Sequence, residues 1–291
     1  ISSIHALDLY NNSPYAQTKR EAALLLKNQN DSKCKTFYLP YTYEDNSNHT
    51  GILKILNYMP LFFSKIIFHI LKSCKRTLHI KYLKNFIINR DYISDREDII
   101  SDNINNNLIY VFTKKIIDLS FTLFIAIFFG WILILIWILI KIESPGPGIF
   151  KQERIGKNNK KFICYKFRTM LVEAKEVPSH FIKESDVTKI GRILRKYKID
   201  ELPQIINILR NEISLIGPRP CLPSQDLLIK ERNKYKINLI QPGISGLSQI
   251  YGIDMSKPEH LALWDSRYNK MRSIFIDIKI IFKTVFNNIK E

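Results

Sequence analysis

Apolar and polar positions are mixed along most of this chain, and one stretch departs sharply from that pattern. Residues 119–140 read LSFTLFIAIFFGWILILIWILI and contain no charge. At about 1.5 Å per residue, a helix of this length reaches across a hydrocarbon layer of roughly 30 Å. Buried helices of soluble proteins seldom run so long and so apolar, so membrane insertion is expected, with Trp131 and Trp137 inside the segment. Lys114 and Lys115 precede it and Lys141 follows it. Cations at both ends set no clean orientation and suit a hairpin that enters and leaves on one face. Gly130, near the middle, is a candidate break, although glycine breaks a helix less strongly than proline.

After this segment the period changes. Ser144-Pro-Gly-Pro-Gly148 predicts a turn out of the bilayer. The runs IFKQERIG and KFICYKFRTM read as strands separated by the polar turn Lys157 to Lys161. Helical patterns extend from about Lys189 to Asn211. Phe275 to Ile289 forms an amphipathic helix with Lys279 and Lys283 on its polar side and Lys290 just beyond. Such a helix either lies on an anionic membrane surface or docks on the domain core. Before the apolar segment come mixed polar stretches, an apolar-basic run from Ile52 to Lys72, a charged segment from Arg90 to Asp98 and an Asn-rich stretch, Asp102 to Asn107. The last reads as a linker, which divides the chain into residues 1–107 and 108–291.

Composition sharpens the picture in one respect. The hydrophobic share of 46% is ordinary, but a formal net charge of +17 points to an anionic partner: nucleic acid, an anionic membrane face or phosphorylated substrates. The basic residues cluster with carboxylates and a membrane segment and no recognition motif appears, so nucleic acid is not the expected partner. Cys34, Cys74, Cys164 and Cys221 are far apart, without CxxC or Cys/His ligand spacing. Neither a disulfide framework nor a structural zinc site is expected. The sequence begins at Ile1, not Met, and no signal-peptide pattern precedes it, so a fragment or a lost true start is expected at its N-terminal edge.

Candidate chemistry lies between Thr188 and Pro220. Asp200 and Glu201 follow a basic run containing Arg192, Arg195, Lys196 and Lys198, and Pro203 marks the first turn of a helix. Alone, such a pair reads as helix-start acids that complement the helix dipole. Among cations and beside a membrane segment it also suits phosphoryl chemistry. One carboxylate attacks phosphorus while the other binds metal or handles a proton. A divalent cation such as Mg2+ takes one or two carboxylates plus substrate phosphates, so Asp200 and Glu201 are also the candidate metal ligands. Lys166, Arg168, Arg195 and Arg219 are the available phosphate clamps. Gly217-Pro-Arg-Pro220 stiffens the backbone on both sides of Arg219, as bidentate phosphate contact would require. Pro242-Gly-Ile-Ser-Gly246 says only that a second ordered loop is present.

In order, KKIIDL, the apolar helix, SPGPGIFKQERIG, YKFRTM, IDELPQ, SLIGPRP, PGISGLSQ and DIKIIFKTV resemble the bacterial sugar transferases, the monotopic polyprenol-phosphate phosphoglycosyl transferases. The resemblance covers about the last 60% of the chain. It implies transfer of a sugar 1-phosphate from a UDP-sugar to polyprenol (undecaprenyl) phosphate with release of UMP, the initiating step of polysaccharide or glycan assembly. It further implies Asp200 as nucleophile forming an aspartyl-phosphosugar intermediate, Glu201 assisting with Mg2+ or the proton, and Lys166, Arg195 and Arg219 at the phosphates. The implied fold is a small α+β domain on a re-entrant helix, with both helix ends on the cytoplasmic side of the bacterial inner membrane. One departure stands out: Gly130-Trp131 occupies the place where the family carries Ser-Pro, which leaves a spanning helix open.

Residues 1–107 resemble, more weakly, part of the short-chain dehydrogenases and nucleotide-sugar epimerases. The match rests on Ser3, on Tyr15 and Lys19 in a Tyr-x-x-x-Lys pattern, on YLPYTY ending at Tyr43 and on Arg90-Asp-Tyr-Ile93. The Gly-rich dinucleotide turn is missing, so Ser3, Tyr15 and Lys19 are expected to be an inactive remnant of a partial α/β region. Two other readings stay open: an epimerase or reductase fragment with a membrane tail, and a non-catalytic membrane scaffold. The partners implied are UDP-sugar, polyprenol phosphate and anionic membrane lipid. The identity of the sugar and assembly into a homo-oligomer stay open.

Overall fold

A computed structural model of the 291-residue chain describes residues 2–3, 7, 13–28, 36–44, 51–89, 97–101, 104, 107–172 and 186–290. It divides into two compact units: Ile1–Phe112 with Lys270–Ile276, and Thr113–Asn269 with Asp277–Glu291.

In the first unit, strands β1 (Ser2–Ser3), β2 (Thr36–Leu39) and β5 (Glu97–Ile99) form a parallel sheet in the order β1-β2-β5. Helix α1 (Pro14–Asn28) supplies the crossover between β1 and β2, as parallel pairing requires. Ala23, Tyr38 and Ile99 pack together beneath it, joined by Met271 from the C-terminal part of the chain. A second parallel pair joins β3 (Tyr41–Tyr43) and β4 (Thr77–His79). The apolar-basic run folds as a 3-10 helix, Gly51–Tyr58, followed by α2 (Leu61–Cys74), and α3 (Ile80–Asn89) follows β4.

The apolar segment is the middle of a longer helix, α4 (Leu108–Glu143), which is long and apolar enough to cross a membrane. Almost none of its apolar stretch is buried, and Phe124, Ile127, Phe128, Trp131 and Ile134 all stand exposed. Among the described residues no protein core covers them, which speaks against the reading of a buried helix of a soluble protein. The helix also runs unbroken through Gly130, the candidate break. The physical reason is that glycine keeps its N–H, so the ladder of hydrogen bonds survives where proline would remove a rung.

In the second unit β6 (Ile149–Ile155) and β7 (Lys161–Phe167) form the expected antiparallel hairpin, turning through Lys157–Asn159. The helical pattern expected from Lys189 to Asn211 breaks into three pieces. These are α5 (Lys189–Lys196), a 3-10 turn (Ile199–Gln204) and α6 (Ile205–Leu209). Lys198 adopts φ 55, a left-handed conformation that no α-helix can continue through, and Pro203 cannot donate to the preceding turn. The rest comprises β8 (Ser214–Ile216), α7 (Asp226–Lys234), β9 (Gly243–Ser245), α8 (Leu247–Ile250), α9 (Pro258–Met271) and α10 (Ile274–Lys290). The last two cross into the residues assigned to the first unit.

This second unit grips α4 at two places. Near the N-terminal end, Lys114 pairs with Asp277 on α10 at 2.9 Å and donates to the Ile216 carbonyl, while Asp118 accepts from Ser214 Oγ and the Leu215 N–H. Near the C-terminal end, Ile140 packs against Phe167 and Leu194, and Arg168 donates to the carbonyls of Ile140, Ser144 and Pro145. Lys114 is therefore a part-buried ion-pair partner and not a free flanking charge. The amphipathic C-terminal helix is docked through Asp277, the fully buried Ile280 and a hydrogen bond between Thr284 and Ser245, while Phe282, Val285 and Phe286 face outward.

Candidate active site

The break at Lys198 places Asp200 and Glu201 in the first turn of the short 3-10 helix, beside the end of β7. Asn207 holds these two elements together. Its amide donates to the Ile163 carbonyl and to Glu212, and its oxygen accepts from the Tyr165 N–H. One residue further along β7 stands Lys166. Its Nζ lies 2.6 Å from Glu201 Oε1, and Arg219 Nη2 approaches the same oxygen at 2.6 Å. Two cations thus share one carboxylate oxygen in a part-buried position. Burial by itself would raise the Glu201 carboxyl, but Arg219 and Lys166 outweigh it and hold Glu201 well below the ordinary carboxylate range.

Asp200 has the opposite environment. Among the described residues no hydrogen bond or ion pair engages its carboxylate. Burial, then the neighbouring Glu201 charge, push it from 3.8 up to about 6, against the pull of Lys166, Arg195 and Arg219. The two carboxylates are therefore driven apart, one permanently ionised and one poised near neutrality, as happens where adjacent groups take different chemical roles. Arg195, on α5, donates through Nε to Thr169 Oγ1 at 2.8 Å. Burial lowers its pKa while the Asp200 charge raises it, so it acts on Asp200 through space and not by direct contact.

Arg219 is held by its backbone as well as by its prolines. Arg232 on α7 donates to the Arg219 carbonyl at 2.9 Å and makes two bonds to Asp265 Oδ2, both side chains being buried. Arg154 on β6 donates to the Pro220 carbonyl at 3.0 Å. The PGISG loop now has a structural purpose: β9 runs parallel to β8, the Gly217 N–H donates to the Ser245 carbonyl and the Gly243 N–H to the Pro218 carbonyl. A Cβ on Gly243 would lie 2.1 Å from the Gly217 nitrogen, so only glycine permits this approach.

Lys166, Glu201 and Arg219 are thus brought together, with Asp200 beside them and Arg195 a step behind. Arg168 is not a phosphate clamp; it caps the C-terminal end of α4, where carbonyls lack helical partners. Sequence reasoning missed Arg154, Arg232, Asp265 and Asn207. Their motifs carry no catalytic pattern, and their partners include backbone atoms and side chains up to 66 positions away. In the first unit, Ser3 lies on β1, and Tyr15 and Lys19 lie one turn apart on α1, with Lys19 Nζ 5.8 Å from the Tyr15 ring. Residues 90–93, a further landmark of that resemblance, lie outside the described residues.

Residues 109–291, which contain all but the first residue of α4 and every group of the site, match the bacterial sugar transferase family, and the chain belongs to it. A UDP-N-acetylgalactosamine-undecaprenyl-phosphate N-acetylgalactosaminephosphotransferase of Aeromonas hydrophila is 34% identical over 214 residues, 71% of this chain and 51% of that protein. An undecaprenyl-phosphate glucose phosphotransferase of Komagataeibacter xylinus is 37% identical over 185 residues, 59% of this chain and 35% of that protein. The uncharacterized sugar transferase EpsL of Bacillus subtilis is 36% identical over 175 residues, 59% of this chain and 85% of that protein. The match thus spans about half of the first relative, about a third of the second and most of the third.

Proposed function

We propose that this chain transfers a sugar 1-phosphate from a UDP-sugar to undecaprenyl phosphate, with Asp200 as nucleophile. The observation that carries the reading is the contrast at the dyad: Glu201 locked between Lys166 and Arg219, and Asp200 desolvated and free of any direct partner among the described residues. In the first step an Asp200 oxygen forms a bond to the sugar-bearing phosphorus, the bond from that phosphorus to the bridging oxygen breaks, and UMP leaves with the electron pair. In the second, an oxygen of undecaprenyl phosphate attacks the same phosphorus, the aspartyl bond breaks and the Asp200 carboxylate returns. Lys166, Arg219 and Arg195 supply the cationic surroundings in which the phosphate charge is held.

Mg2+ fits this donor set. The Asp200 carboxylate and the second oxygen of Glu201 are hard oxygens without a bond among the described residues, the ligands that Mg2+ combines with substrate phosphates. No group of three or more His, Cys, Asp or Glu side chains suited to a metal occurs among those residues, so the substrate would have to complete its shell. When bound, the ion would neutralise phosphate charge.

For the membrane element the unbroken helix from Leu108 to Glu143 speaks for a crossing, whereas the grip of one compact unit near both ends of α4, at Lys114 and Asp118 and again at Ile140 to Pro145, supports the re-entrant reading. A crossing helix would separate these two places by the bilayer. This reading puts the catalytic unit on the cytoplasmic face, where nucleotide sugars are made. For residues 1–107, the parallel order β1-β2-β5 supports the reading of an epimerase-like α/β region.

The deciding experiment incubates the membrane-reconstituted chain with UDP-sugars and undecaprenyl phosphate. UMP release is expected with at least one donor, and Asp200→Asn should abolish it while leaving the thermal transition in place. Exclusive UDP release would instead mark an ordinary glycosyltransferase, and an active Asp200→Asn variant would remove Asp200 as nucleophile.

A further inference from the structure

Residues 46–90 contain no Asp or Glu and eight Lys or Arg. Within this stretch the 3-10 helix Gly51–Tyr58 and α2 leave a run of large apolar side chains uncovered. Ile55, Tyr58, Phe62 and Phe63 are each more than half exposed, and Ile66 and Ile70 nearly so. Exposed Lys54, Lys65 and Lys75 stand along the same elements. The other side of α2 is committed to protein: Phe68 packs edge-on against Tyr43, and Ser73 is fully buried.

That buried Ser73 links the surface to the membrane element. Its hydroxyl donates to Asn107 Oδ1 at 3.0 Å, and the same oxygen accepts from the Tyr110 N–H at 3.1 Å, so Asn107 caps the first turn of α4. The end of α2 is therefore fastened to the start of the apolar helix. There Leu108 and Phe112, one turn apart, begin the exposed apolar surface of α4. A surface with exposed aromatics, cationic neighbours and no acid, joined to a membrane helix at its cap, has the chemistry of an interfacial lipid-binding element.

We infer that the 3-10 helix Gly51–Tyr58 and α2 form a docking surface for anionic phospholipid, seating the N-terminal unit on the bilayer that α4 enters. The aromatic and aliphatic side chains enter the headgroup–acyl boundary, and the lysines hold lipid phosphates. The inference rests on the membrane placement of α4 and extends it to a second element that belongs to the other unit.

The test uses the full chain carrying Cys34→Ser and Cys74→Ser, with Ile66→Cys bearing an environment-sensitive fluorophore. Reconstitution is into phosphatidylcholine vesicles with or without phosphatidylglycerol. Lipids with a nitroxide near the headgroup serve as quenchers. Parallel labels at Glu21→Cys on α1 and Ile134→Cys in α4 report solvent and bilayer. The expected result is a blue-shifted Ile66 label, quenched several-fold more than the Glu21 label when phosphatidylglycerol is present and losing that quenching when it is omitted. Quenching at Ile66 no greater than at Glu21, with Ile134 quenched, overturns the inference and leaves the placement of α4 standing. Equal quenching without phosphatidylglycerol overturns the anionic assignment. A label shielded from aqueous iodide yet untouched by the lipid quencher shows that protein covers the face, and overturns it too. Loss of quenching at Ile134 itself defeats both readings.

Discussion

Asp200 and Glu201 are adjacent and chemically alike, yet their surroundings divide them. Glu201 stays ionised because two cations touch it, and Asp200 is raised because burial and Glu201 act on it together. A group raised from 3.8 to about 6 is stabilised in its protonated form. Its favourable contribution to folding is complete below pH 3.8 and is lost as pH rises through about 6. A desolvated carboxylate is also a stronger nucleophile once ionised. Single-turnover UMP release should therefore rise with pH along a limb centred at about 6 and then level, because only the carboxylate attacks. A limb in the ordinary carboxylate range near 4 would dissociate the raised group from the chemistry. The acid pair was singled out from its setting in the sequence, whereas the opposed states of its two members depend on Lys166 and Arg219, 35 and 18 positions from Glu201.

Among the elements, the loop between β8 and α7 is the one whose shape most directly sets the site. Its prolines were visible in the sequence, but its position follows from Arg232, Arg154 and the neighbouring β9 strand. The Arg232–Asp265 pair is buried, and breaking such a pair leaves an uncompensated charge at a cost of about 3–5 kcal/mol. Arg232→Met should lower the thermal midpoint by several degrees and also reduce transfer, because the Arg219 carbonyl loses its donor. Restored transfer in an Arg232→Lys variant, with stability still reduced, would separate the positioning of Arg219 from general damage. A stable and fully active Arg232→Met variant would dismiss both roles. The helical period between Lys189 and Asn211 was read from the sequence, but its interruption was not. Lys198 is an ordinary helix former whose left-handed backbone is imposed by packing, and without that turn the dyad would lie on a continuous helix.

Across the molecule, one unit holds α4 near both of its ends, while the helix between them is unbroken. Single cysteines placed at the exposed Leu108 and Pro145, at the two ends of the helix, should both react with a membrane-impermeant thiol reagent from the cytoplasmic side of inverted vesicles. Reaction of the two from opposite sides would establish a crossing helix in place of a re-entrant one. Length and charge-free composition made the membrane segment plain from residues 119–140 alone, because hydrophobicity is a property of each side chain and adds along a helix. The antiparallel hairpin and the acid pair were likewise written in local pattern and spacing. The recruitment of Arg168 to the C-terminal carbonyls of α4 and the meeting of Lys166, Glu201 and Arg219 were not. Each depends on residues distant in the chain finding one another, and no local pattern says which cations will reach a carboxylate until the fold has closed around it.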